Sequence, residues 1–155
     1  MHLGPAERHT VYEGEAVGGI LAAKLLQGQD IKIHEGISIY VDNQSVIAGA
    51  KKIHNRSGQY LLNGFHDALL QIPTVKLFAR SNKLTIRWIS AHTGVEGNEA
   101  VDILAKAAAA GKSSPEALLP QALITSKIGL DELPHNIAAL KAQARTEIKA
   151  RWFTR

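Results

Sequence analysis

The stretch WISAHTGVEGNEAVDILAKAAAAG, Trp88 to Gly111, decides how the chain is read. It runs from an apolar segment, through a loop with His92, Gly94 and Gly97, into an alanine-rich helix that carries carboxylates at its start. Upstream, KLTIRWISA (Lys83 to Ala91) places Leu84, Ile86 and Trp88 at alternate positions, the period of a strand with one buried face. Downstream, Val101, Leu104, Ala105 and Ala108 recur at helical spacing, so a helix starting near Asn98 should bury that stripe and carry Asp102 in its first turn. Strand, glycine loop and helix in this order form the ligand-binding end of an open parallel sheet, where loops and helix starts converge beyond the strand termini.

Working outward, ISIYVD (Ile37 to Asp42) is a second short β-branched run, and it also ends on a carboxylate. Asn43 is suited to cap the helix that follows, QSVIAGAKKI, and SGQYLLNGFHDALLQIP offers another helix closed by Pro73. Before these, Val17, Ile20, Leu21 and Leu25 predict an amphipathic helix from Glu13 to Gln27, stopped by Gly28. The Gly18-Gly19 pair inside it suits close packing against a neighbouring backbone. Helices separating two strands imply parallel pairing with helical crossovers, the α/β class.

The chain has 155 residues, 45% of them hydrophobic, enough for one domain with a real core. No apolar run approaches the length of a membrane span, and MHLGPAERHT lacks the apolar centre of a secretory signal, so an intracellular protein without a membrane partner is expected. With no Cys, thiolate chemistry is excluded and carboxylates, His and hydroxyls remain. The net charge of +4 is matched by the tail alone, where Lys141, Arg145, Lys149, Arg151 and Arg155 face the single Glu147. Such an end suits phosphate or an acidic partner, or is simply a solvated helix face. Past Gly111, Pro115, Pro120 and Pro134 mark a linker over 112–134, and Ile137, Leu140, Ala144, Ile148 and Trp152 then form one stripe of a final helix with a basic opposite face over 135–155. The core is expected to stop near Gly111.

If the strands ending at Asp42 and before Asp102 are adjacent and parallel, the two carboxylates approach one another. A divalent cation relieves their repulsion, and hard oxygen ligands favour Mg²⁺ or Mn²⁺ over Zn²⁺. Taken singly, an Asp at a strand end is more often a turn or cap residue.

The spacing His92-x-Gly94-x-x-Gly97-Asn98-Glu99-x-x-Asp102 after a Trp-bearing strand resembles the type 1 ribonuclease H family, in particular the domain of fungal non-LTR retroelements. The resemblance is firmest from Ile37 to Ala110, and it implies a three-layer α/β/α ribonuclease H-like core over 1–111 with a C-terminal helical extension. It assigns metal binding to Asp102 and Asp42, with Glu15 completing the site from TVYEGEAVGGILAA. His92 takes a role in proton transfer or product release from a mobile loop, and Asn98 and Glu99 shape that loop and the substrate side. Asn43 and Gln44 are placed near the nucleic acid, and Lys51, Lys52 and Arg56 of AKKIHNRSGQY are suited to its phosphates. The implied reaction is hydrolysis of RNA in an RNA–DNA hybrid by a two-metal site of Mg²⁺ or Mn²⁺, with a non-catalytic nucleic-acid-binding remnant as the alternative. One departure stands out. The family's first metal-binding Asp lies on an opening strand, whereas residues 1–14 contain no Asp. The core is therefore expected to be incomplete at its N-terminus, with reduced or lost activity. The strand of Asp42 is then left with an open edge, available to another chain or segment.

Overall fold

The computed structural model describes residues 1–5, 7–29, 36–51, 57–72, 84–91, 93–126 and 133–153. His92, Lys52 and Arg56 lie outside the described residues.

Helix α1 (Val11–Gln27) begins two residues before the position expected from its apolar stripe. The cause is a capping box. Thr10 Oγ1 accepts from the Glu13 amide, and Glu13 Oε2 accepts from the Thr10 amide at 2.9 Å, which satisfies donors that a helix start leaves open. Strand β1 (Ile37–Val41) follows, then α2 (Gln44–Ala50). Asn43 caps α2 as its sequence suggests, its Oδ1 accepting from the amides of Ser45 and Val46. Helix α3 (Gln59–Leu70) ends before Pro73, since the residue preceding a proline is disfavoured in helical geometry.

Strand β2 (Leu84–Trp88) pairs with β1 in parallel, with Ile37 opposite Leu84 and Val41 opposite Trp88. Alternation sends Ile39 with Leu84 and Ile86 toward the core shared with α1 and α3, where Val17, Ile20, Leu61, Leu62 and Phe65 are buried. Gly19 permits this packing, because a Cβ there would stand 3.4 Å from the Phe65 ring, whereas nothing approaches Gly18. The opposite face carries Ser38 and Thr85, whose hydroxyls lie 2.9 Å apart, with Tyr40 and Arg87. Among the described residues β1 pairs with β2 alone.

Three expectations are corrected. Helix α4 (Glu96–Ala109) starts two residues early, so Asp102 falls in its second turn rather than its first. Its apolar stripe is uncovered: Val101 is 61% and Leu104 69% exposed, and no residue of α4 is buried.

The core also continues past Gly111. After a short 3₁₀ turn (Glu116–Leu118), helix α5 (Gln121–Ser126) packs on α3, and Leu119, Leu123 and Leu133 are buried. Finally, among the described residues of α6 (Ile137–Phe153) only Ala139 is buried. Asn136, itself buried, caps the helix through the amides of Ala138 and Ala139, and its own amide donates to the Arg8 carbonyl at 2.9 Å. That anchor directs Ala139 inward, lets Ala142 and Thr146 line a cavity beside His9, and leaves Ile137, Ile148 and Trp152 in solvent. Among the described residues no helix is long and apolar enough to cross a membrane.

Candidate active site

Parallel, in-register pairing brings the C-terminal ends of β1 and β2 to one edge, where Asp42 directly follows β1. Two hydrogen bonds secure that end: the Ile89 amide donates to the Val41 carbonyl, and the Trp88 indole Nε1–H donates to the Asp42 carbonyl, both at 3.1 Å. Glu15 reaches the same place from the second turn of α1. Glu13 cannot, because it is 1% exposed and held in the capping box.

Glu15 and Asp42 share a hydrogen bond. Burial raises the Glu15 carboxyl to about 7 from an ordinary 4.5, with further contributions from the Asp42 charge and hydrogen bond and from the more distant charge of Asp102. The Glu15 carboxyl thus retains its proton into the neutral range. Asp102 is held on its own helix by Lys106, whose Nζ lies 2.6 Å from Oδ2, and this contact raises the lysine's affinity for its proton.

The donor chemistry suits a hard divalent cation, since every member is a carboxylate and the charges of Asp42 and Asp102 add to burial in raising Glu15. The enclosure is incomplete, however. Among the described residues no group of three His, Asp or Glu side chains stands close enough to hold a metal ion. The Glu15–Asp42 pair fits such an ion, and Asp102, held by Lys106 through Oδ2, stands outside it.

The other expected residues distribute around this edge. Asn98 and Glu99 lie half-buried on α4, Gln44 is exposed at the start of α2, and Lys51 is exposed at its end. Asn43 is committed through its Oδ1 to the α2 cap. In the loop before α4, Gly94 has φ +76, a left-handed conformation that favours glycine, and the Thr93 hydroxyl donates to the Ser90 carbonyl. Alternation puts Trp88 on the same face of its strand as Leu84 and Ile86. Its indole instead holds the Asp42 carbonyl and remains 52% exposed, a role that alternation alone does not signal.

The family model described as RNase H matches residues 15–110, a span that contains all three carboxylates. No curated protein and no solved structure matches the chain. Members of this family are ribonucleases of RNA–DNA hybrids and generally depend on divalent metal ions. The match covers more than half of the sequence and coincides with the helices and parallel strands that bring Asp42 and Glu15 together: the chain belongs to the RNase H family.

Proposed function

We propose that the chain hydrolyses the RNA strand of RNA–DNA hybrids at the edge that carries Glu15 and Asp42, with Asp102 beside it. The observation that carries this reading is the Glu15–Asp42 hydrogen bond between distant parts of the chain, with Asp102 repelling the same carboxyl. Mg²⁺ or Mn²⁺ bound there in a two-metal arrangement would supply the Lewis acidity for attack of water on the scissile phosphate.

The chain's own residues prepare for this. Glu15 gives up its proton as pH rises through about 7, so the site beside Asp42 becomes a better cation site in the same range. Asp102 exchanges its bond to Lys106 for the site. The side-chain amides of Gln44 and Asn98 suit ribose 2′-hydroxyls, Asn43 contributes through the amide nitrogen left over from its capping role, and Glu99 shapes the substrate side. Lys51 suits phosphate. For His92, Lys52 and Arg56 the proposed roles rest on the sequence motif.

Three carboxylates, with no Asp among residues 1–14, should give slow turnover. A strand bearing an Asp and paired on the other edge of β1 is expected to raise it. The retroelement kinship suggested by the motif belongs to the same proposal.

The test is cleavage of a labelled hybrid with Mn²⁺, read as RNA-strand products on a denaturing gel. Slow cleavage of the RNA strand, abolished in Asp42→Asn and Asp102→Asn, is expected. An Asp102→Asn protein that cleaves as well as the parent places the chemistry elsewhere. A second reading, binding without cleavage, is favoured by Lys141, Arg145, Lys149 and Arg151, all exposed on α6. Under that reading, removing residues 141–155 abolishes salt-sensitive hybrid binding, and unchanged affinity dismisses it.

A further inference from the structure

A cavity of 780 Å³ opens between α2, the first turn of α3 and the end of β2, within the roughly 300–1,000 Å³ typical of ligand sites. Tyr12 lines it in a fixed position. A Cβ at Gly49 would stand 2.8 Å from the Tyr12 hydroxyl, and one at Gly58, where φ is +80, would stand 3.1 Å from its ring. The half-exposed Trp88 indole forms another part of the wall, Gln44, Ser45 and Ser57 add amide and hydroxyl groups, and Lys51 adds positive charge.

None of the three carboxylates lines this cleft, so it is a separate site. Two links place it beside them: the Trp88 indole is bonded to the Asp42 carbonyl, and Gln44 lies just after Asp42 in the chain. A nucleic-acid strand crossing the carboxylates can therefore run on into the cleft.

What the cleft would hold follows from its chemistry. Inside a duplex both faces of an internal base are covered by its neighbours, so an indole set into a cleft wall, with amide and hydroxyl groups around it, is better matched to a base that has left the duplex. Amide and hydroxyl groups with one lysine, arranged around an aromatic plane, suit a nucleotide of any sequence, because every base presents a π-face.

We propose that the Trp88 cleft seats an unpaired nucleotide adjoining the hybrid, with its base against the indole and its phosphate toward Lys51. The class of ligand rests on the hybrid reading above; the stacking subsite does not follow from that reading. The chain thereby distinguishes a hybrid with a single-stranded extension from a blunt one.

Trp152→Phe leaves Trp88 as the only tryptophan, and its fluorescence is followed while oligothymidylate, a blunt hybrid and hybrids extended on either strand are added. Quenching by oligothymidylate and by an extended hybrid, with little change for the blunt one, is expected. In parallel, anisotropy of a labelled extended hybrid should show Trp88→Ala binding roughly tenfold more weakly, with most of the affinity kept in Trp88→Phe, which retains an aromatic plane but loses the N–H donor. Equal losses in the Phe and Ala variants would show that the indole acts only by holding Asp42 and would overturn the stacking site. Should the Ala variant fail to fold, the fluorescence experiment decides alone. A blunt hybrid that binds or is cleaved, with Trp88 emission unchanged by every extended substrate, sinks this inference and leaves the hybrid reading standing. If no nucleic acid binds at all, both fail.

Discussion

Replacing Glu15 by Gln should stabilise the folded chain above neutral pH and leave it nearly unchanged in acid. In the folded state the Glu15 carboxyl is raised from 4.5 to about 7, first by burial and then by Asp42. Below about pH 4.5 both folded and unfolded chains carry the proton, and no penalty exists. As pH rises from there toward 7, the unfolded chain ionises while the folded one retains its proton, so stability falls across that window and stays low above it. At ~1.4 kcal/mol per pH unit the ceiling is about 3 kcal/mol, and solvent screening of a half-exposed carboxyl reduces this to ~1–2 kcal/mol. Gln keeps the shape and remains neutral at every pH. With a urea dependence of about 2 kcal/mol per molar, the Glu15→Gln midpoint should exceed the parent's by roughly 0.5–1 M at pH 8, with the two close together at pH 4.5 to 5. Asp42→Asn should recover only part of that gain, because burial outranks the Asp42 charge. Millimolar Mg²⁺ should narrow the gap at pH 8 by stabilising the parent alone, since a ligand stabilises the state that binds it. A midpoint difference that is the same at both pH values would refute a Glu15 carboxyl that keeps its proton into the neutral range.

Two other substitutions read the packing. Gly49→Ala places a methyl group 2.7 Å from Leu62 Cδ1 as well as against the Tyr12 hydroxyl, and since Leu62 is fully buried it should destabilise by ~1–3 kcal/mol in thermal melts. Gly18→Ala, with nothing within 4 Å, should stabilise by ~0.5–1 kcal/mol, and a loss there would contradict the packing of α1. Tyr60 is raised to about 12 by burial and by the charge of Glu13, so the ultraviolet titration difference between the parent and Tyr60→Phe should stay flat to about pH 11, well above the ordinary tyrosine range. A difference that develops near pH 10 would place that hydroxyl in water.

Local signals carried well where the chain's immediate neighbours make the structure. Asn43 caps α2 and Gly28 ends α1, as their residue types suggest. The early start of α1 was also written locally, in the Thr10-x-x-Glu13 pattern of a capping box. What the sequence did not disclose were the partners of each face. The stripes on α4 and α6 have a helical period, yet the structure leaves Leu104 and Trp152 in solvent. Trp88 fell on a core-facing position of its strand by alternation but stands at the open end, over a cleft.

From the letters alone came the α/β class, the order of helices and strands, the acidic positions and the spacing that points to ribonuclease H. These depend on periods of two and 3.6 residues and on residue types a few positions apart, which no distant segment needs to supply. Tertiary structure alone decided that Glu15 is half-buried beside Asp42, that Leu123 and Leu133 belong to the core, and that α6 turns Ala139 rather than its apolar stripe inward. Those outcomes arise from desolvation and contact between remote segments, and both depend on which surfaces meet rather than on the order of residues along either one.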